Sequence, residues 1–264
     1  MVDSRTSRTI PRGLRRVVQA VAPFILLAVL WQLASFGFPR YLFPSLLDVL
    51  RHTLDILLTW SLFSEVLATI SRILAGLVGA FLIGSAVAVL MVRSPTVDSF
   101  IAPILNFFQG IPALSWVVFA IIWFHGIELR ILFIMVVTAL PAFAFQVLGA
   151  LRAVSKDLFE MVLSFRPTRR RMFRVMILPS ILPDIITAWK VNLGNASRVV
   201  VVAELVGATG GIGYELLQQQ QIFDMAGALA WTLQIVFFVL IVQRILSLIE
   251  NYAFRYRAVS ERQL

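Results

Sequence analysis

The chain has 264 residues, 59% of them hydrophobic and 14% charged, a net charge of +9 and no cysteine; its mean hydropathy is +0.89. A soluble domain is about 45–50% apolar and about 25% charged, so the surplus of apolar side chains points to lipid as solvent. Disulfides and thiolate metal sites are excluded, and no run of the kind that cradles nucleotide phosphates, glycine-rich and ending in Lys-Ser or Lys-Thr, is present.

A bilayer core takes roughly 20 apolar residues as a helix. Six stretches reach that scale: 18–37, 66–92, 99–124, 129–151, 181–206 and 225–249. The expected organisation is an all-α integral membrane domain of six helices over 18–251, between a terminal segment at 1–17 and a tail at 252–264. The run RTSRTIPRGLRR ahead of the first stretch imitates a secretory signal, but the apolar part is long and residues 31–36 make a poor cleavage site. It reads as an uncleaved first helix. Between the first two spans, residues 41–45 read as a turn. Residues 46–59 have helical periodicity, with His52 and Asp55 on the polar side, and are expected to lie along the membrane surface. The third span is interrupted at Gly110-Ile111-Pro112, where proline removes a backbone donor and bends the helix. Broken helices persist in membranes only against protein or beside a wet cavity. Gln109, Pro112 and Trp116 around that break are therefore candidates for the wall of a pathway, with ordinary packing as the other reading.

The segment 157–183 reads DLFEMVLSFRPTRRRMFRVMILPSILP and sits in a basic loop, 152–179. A short helix is expected over 157–164. Leu158, Met161, Val162 and Phe165 fall at i, i+3, i+4 and i+7 and make one apolar stripe, and Asp157 and Glu160 occupy the first turn, where the helix dipole favours anions. Residues 168–175 are expected to restart as a basic helix, with Met172, Phe173 and Met176 turning back to the core. In the fifth span, Asn195 and Arg198 share a face at i, i+3, and Glu204 follows. An ionised group at the bilayer centre costs about 2.5–3.5 kcal/mol on insertion scales, so these residues must face protein or water. Either Arg198 draws an anion along a path with Asn195 and Glu204, or it pairs with an acid such as Glu204 and fixes packing. Arg72 is expected to be structural.

With the N-terminus inside, sixteen Lys and Arg lie in inside segments and three (Arg40, Arg51, Arg130) in outside ones. The positive-inside bias then sets both termini in the cytoplasm and explains the basic charge without nucleic acid.

The loop resembles the "EAA" loop of type I ABC import permeases. Glu160, Ile177, Leu178 and Pro179 match, with Pro179 nineteen residues after Glu160. Met161 and Val162 replace the two alanines, and Arg166-Pro167 stands where the family has glycine. Glycine would let the chain turn there; Arg-Pro also breaks a helix, because the residue before proline is pushed out of the α region. The resemblance, to the taurine/nitrate/sulfonate-type group, continues through Phe43-Pro44-Ser45 and through Thr69-Ile70-Ser71-Arg72 with Gly76 and Gly84, where Thr69 or Ser71 takes a serine's role. It also covers residues 111–116, residues 122–126 with His125 inserted before the usual glycine, Ala203-Glu204, and Gly210-Gly211-Ile212-Gly213.

That resemblance implies a MetI-like permease fold in a bacterial inner membrane. It implies a second permease copy, two cytosolic ATPase subunits that bind the ATP and Mg, and an external solute-binding protein delivering a small, anionic solute. In it, Leu158, Glu160, Met161, Val162, Phe165, Arg166, Pro167 and Pro179 are the ATPase-coupling residues, and the chain has no catalytic site or cofactor of its own. A secondary transporter or channel working alone is the competing class; it would show two related halves and a coupling-ion site, and neither is visible.

Overall fold

The computed structural model describes residues 12–253, and these are helical throughout their ordered elements. The expectations placed on 1–11 and 254–264, including Arg5, Arg8, Arg255, Arg257 and Arg262, lie outside the described residues.

The first helix, α1 (Arg12–Ser35), contributes an apolar stretch of only Val21–Ser35. Trp31 donates its indole N–H to the Pro44 carbonyl at 3.1 Å and stacks on Phe43, which folds the 36–45 turn under α1. Ser45 then caps α2 (Leu46–Leu58), accepting from the Asp48 amide. Its hydroxyl also donates to the Asp48 carboxylate at 2.7 Å and holds that carboxyl below its ordinary pKa. Val49, Thr53 and Ile56 make the buried face of α2 and the leucines lie outward, the amphipathic helix expected from periodicity.

The core is built on α3 (Trp60–Arg93) and α6 (Ile127–Arg152), the most extensively paired helices. They approach closely at two glycines of α3. A Cβ on Gly76 would meet the Met135 side chain at 2.5 Å, and one on Gly84 would meet the Leu140 carbonyl at 3.0 Å. Small residues permit this approach where lipid supplies no hydrophobic drive between helices. The long helix α9 (Leu178–Gly207) packs against α6, and α11 (Met225–Ala253) packs against α2, α9 and the short α10 (Ile212–Gln221).

Four described helical runs are long and apolar enough to cross a bilayer alone: Trp60–Arg93, Ile127–Arg152, Arg169–Gly207 and Met225–Tyr252. The expected third span is a bent pair, α4 (Pro95–Gly110) and α5 (Ala113–Trp123), turned by 92° at the Ile111-Pro112 break. Counting that pair as one gives five spans; the described apolar part of α1 is too short to count as the sixth. The break is sharp because Pro112 has no N–H to continue the helix and takes the cap position of α5.

At one end of the bundle, α7 (Lys156–Ser164) and α8 (Arg169–Met172) form the basic loop, each with a side-chain cap, Ser155 and Thr168. There Arg152 pairs with Asp98 at 2.6 Å and ties the end of α6 to the start of α4. The basic helix is not a separate surface piece as expected. It runs through a π-helical turn, Phe173–Ile177, straight into α9, so that Arg169–Gly207 is one 39-residue helical run. Met176 returns to the core as expected and Met172 is half-buried, but Phe173 is exposed. The π turn accounts for the tolerance of Pro179: the widened ring, closed by the Leu178 N–H on the Phe173 carbonyl, shifts the carbonyl that an α-helical proline would strike.

Candidate transport site and coupling surface

Two assemblies of residues stand out, one at each end of the bundle.

The first is a charged cluster around the 207–213 turn, far from the basic loop. Glu204 is 0% exposed, and Arg72 donates to it from Nη1 at 2.7 Å. The Thr69 hydroxyl lies 2.9 Å from both carboxylate oxygens, and the Gly213 amide donates to Oε2 at 2.9 Å. Arg72 also donates to the Gly210 carbonyl at 2.9 Å and, through Nη2, to Glu128 at 2.6 Å. Glu65 accepts from the Gly211 amide at 2.6 Å, and Thr69 from the Ile212 amide at 2.8 Å. A buried carboxylate is tolerable only when paired and hydrogen-bonded on every side, which this arrangement supplies. Gly211 has φ +106, a conformation that favours glycine, and a Cβ there would also meet Arg72 at 2.7 Å. Arg130 donates to the Gly207 carbonyl at 2.6 Å and to the Phe124 carbonyl at 3.2 Å, satisfying the ends of α9 and α5.

This cluster decides several sequence-based alternatives. Thr69, not Ser71, is the hydroxyl of the Thr-x-x-Arg motif, since Ser71 only bonds back to Ala68. Arg72 is structural, as expected. The pairing of Arg198 with Glu204 within the chain is not formed: Arg72 occupies that carboxylate, from a helix 132 residues away in sequence. Glu204 is thus placed inside the chain, and so is Trp116, which stacks on Phe108 with rings 5.5 Å apart and only 1° from parallel. The other path candidates, Gln109, Pro112, Asn195 and Arg198, are exposed. The six residues therefore divide, four on the surface and two behind it. Arg198 alone of them lines a cavity between α9 and α11, of about 480 Å³, with Ser197, Thr232 and Gln243 among its walls.

The second assembly is the loop end. No residue of α7 is buried. Its stripe faces outward, with Leu158 47%, Met161 54% and Phe165 80% exposed, while Val162 is half-buried. Glu160 is exposed one turn into the helix, and Pro167 is half-buried beside it. Arg166 explains the family's glycine. Its φ is +48, so the chain adopts the left-handed turn that glycine takes without cost and that costs another residue about 1–2 kcal/mol. Arg166→Gly is expected to relieve that strain and to raise the resistance of the loop to limited proteolysis. Unchanged or faster cleavage at 165–168 would show that the turn is held by Pro167 alone.

Sequence reasoning missed α10. Its GYELLQQQQ run lacks an apolar stripe, yet Ile212 is fully buried and Leu216 packs beside it.

Comparison with known proteins agrees with this architecture. Residues 80–253 match the family model described as "Binding-protein-dependent transport system inner membrane component". The chain is 30% identical over 197 residues to the taurine transport system permease protein TauC of Escherichia coli, covering 72% of this chain and 71% of that one. It is 27% identical over 224 residues to the formylaminopyrimidine transport permease protein ThiX of Halalkalibacterium halodurans, covering 82% and 88%. With the bicarbonate transport system permease protein CmpB of Synechococcus elongatus it shares 22% over 244 residues, covering 84% and 88%. In fold it is similar to a chain of the inward-facing MetNI methionine ABC transporter, with a TM-score of 0.66 at 23% identity over 74% of this chain and 96% of that one. The chain therefore belongs to the binding-protein-dependent transport system inner membrane components, as a transmembrane permease subunit of an ABC importer.

Proposed function

We propose that the chain works as one half of a two-fold permease pair, with two cytosolic ATPase subunits on its basic-loop end and an external solute-binding protein at the Glu204 end. The observation that carries this reading is α7: a capped amphipathic helix whose apolar stripe packs on nothing in its own chain. An exposed stripe of this size on a membrane protein's polar loop suits a groove on a soluble partner. ATP and Mg belong to that partner, and this chain contributes no catalytic group. Leu158, Glu160, Met161, Val162 and Phe165 enter the groove, Arg166 and Pro167 set the turn behind them, and Pro179 anchors the return into α9.

The membrane is a bacterial inner membrane, with both termini and the α7–α8 loop in the cytoplasm. Sixteen Lys and Arg against three support that orientation. The solute is small and anionic, in keeping with relatives named for taurine and bicarbonate. In the pair, Gln109, Pro112, Asn195 and Arg198 border the path, and Trp116 and Glu204 hold its walls from behind.

Co-expression with the ATPase encoded beside it, followed by mild detergent extraction, tests the reading. The expected result is co-elution of both chains at equal stoichiometry. A permease that elutes without the ATPase, and that moves solute in vesicles lacking it, would overturn it in favour of a transporter working alone.

A further inference from the structure

The cations that sit away from the ends of the spans are partnered with two exceptions. Arg72 is held by Glu204 and Glu128, Lys190 by Glu250 at 2.5 Å, and Arg130 by two backbone carbonyls. Arg198 and Arg244 make no hydrogen bond or ion pair among the described residues. Arg198 projects into the α9–α11 cavity, whose remaining walls are Gly194, Ser197, Thr232, Gln243 and five aliphatic side chains. Arg244 follows Gln243 on α11 and adds positive potential at that rim.

An arginine at this depth needs an acceptor. The chain has none to give. Glu204 and Glu250 are occupied, and Asp184, the other acid within α9, is fourteen residues away, about 21 Å along the helix. A second copy related by a two-fold axis normal to the membrane presents its acids at the same depths, and so offers no free carboxylate opposite Arg198. The acceptor must come from a ligand.

We propose that the α9–α11 cavity is a subsite for a small monoanion carrying a short apolar body, with the Arg198 guanidinium as its anion-holding group. The guanidinium fork suits a planar carboxylate or a sulfonate. Ser197, Thr232 and Gln243 have only local work: Ser197 and Thr232 bond back to their own helices, at Leu193 and Ala228. The aliphatic wall of Val201, Ile235, Val236, Val239 and Leu240 takes the apolar part and disfavours a strongly hydrated inorganic ion. The inference rests on the permease reading above and adds the chemistry of what is carried. A lipid phosphate shares the anionic chemistry, and the test separates the two.

The chain has no cysteine, so Thr232→Cys supplies a single thiol in the cavity. The full chain, with its ATPase, is placed in phosphatidylcholine nanodiscs and labelled with a water-soluble maleimide, with butanesulfonate or uncharged butanesulfonamide as probe. Butanesulfonate is expected to slow labelling by about tenfold at ~10 times its Kd, the sulfonamide to have no effect, Arg198→Gln to abolish protection and Arg198→Lys to keep part of it. Equal labelling with and without butanesulfonate, or a thiol that never reacts, would overturn the subsite. Slowing in phosphatidylglycerol discs without added sulfonate, and no response to sulfonate in phosphatidylcholine, would assign the site to lipid and overturn it equally. Arg198→Gln should leave the melting temperature unchanged, because no acid loses its partner; a fall would reveal a protein partner and defeat the proposal. Co-elution of the ATPase is read in every arm, so its loss would strike the permease reading and not the subsite.

Discussion

Arg72→Gln is expected to be among the most damaging single changes in this chain, lowering stability by about 3–5 kcal/mol through an uncompensated buried charge. The side chain of Arg72 is 11% exposed and that of Glu204 0%, so neither can turn to water. Thr69 and Gly213 still donate to the carboxylate, but they carry no charge. The Gly210 carbonyl loses its donor at the same time, and the turn it belongs to loses its clasp on α3. Glu204→Gln leaves Arg72 paired with Glu128 and is expected to cost less, about 1–3 kcal/mol for a mismatched buried group. The double change should be less damaging than the sum of the two, since it removes both charges together. Thermal unfolding in detergent of the four proteins of this cycle measures the coupling directly. Additive losses would show that Arg72 serves Glu128 and the turn, and that its contact with Glu204 contributes nothing.

Met161→Asp and Glu160→Lys are expected to uncouple the chain from its ATPase with the permease still folded and inserted. No residue of α7 is buried in its own chain, so a change there leaves the bundle intact. In a partner's groove, an unpaired carboxylate at Met161 costs at least about 1–3 kcal/mol, which lowers affinity by roughly ten- to a hundredfold. Glu160→Lys reverses a charge near the positive end of a helix and is expected to act in the same direction more weakly. Substrate-stimulated ATPase activity in proteoliposomes reads both. Full stimulation with Met161→Asp would remove α7 as the docking helix.

The spans were legible because hydropathy over twenty residues reports what lipid demands, and the bend at Pro112 because proline's missing N–H acts locally. The α7 stripe and its caps were legible for the same reason: every relation in them falls within seven residues. Two kinds of feature were not. The Arg72–Glu204 pair joins α3 to α9, and a search for neighbours along one helix turned instead to Arg198, six residues from Glu204. The short α10 is polar over most of its length and takes its helical state from packing Ile212 and Leu216 against α3 and α11, a tertiary influence that no local pattern carries. The continuity of α8 with α9 was hidden by Pro179, read as a stop where a π turn allows passage.

That continuity has a mechanical meaning. The run Arg169–Gly207 holds 39 residues, and as a rod it is about 58 Å long. One end carries the triple arginine behind the docking helix; the other carries Glu204 and the glycine turn clasped to α3. A torque applied at Arg169 meets no loop before it reaches that clasp, and the widened turn at Phe173–Ile177 is the place where the rod can yield. The stiffness of five residues therefore governs how much of a motor's stroke arrives at the far face as rotation and how much is spent as bending at the near one.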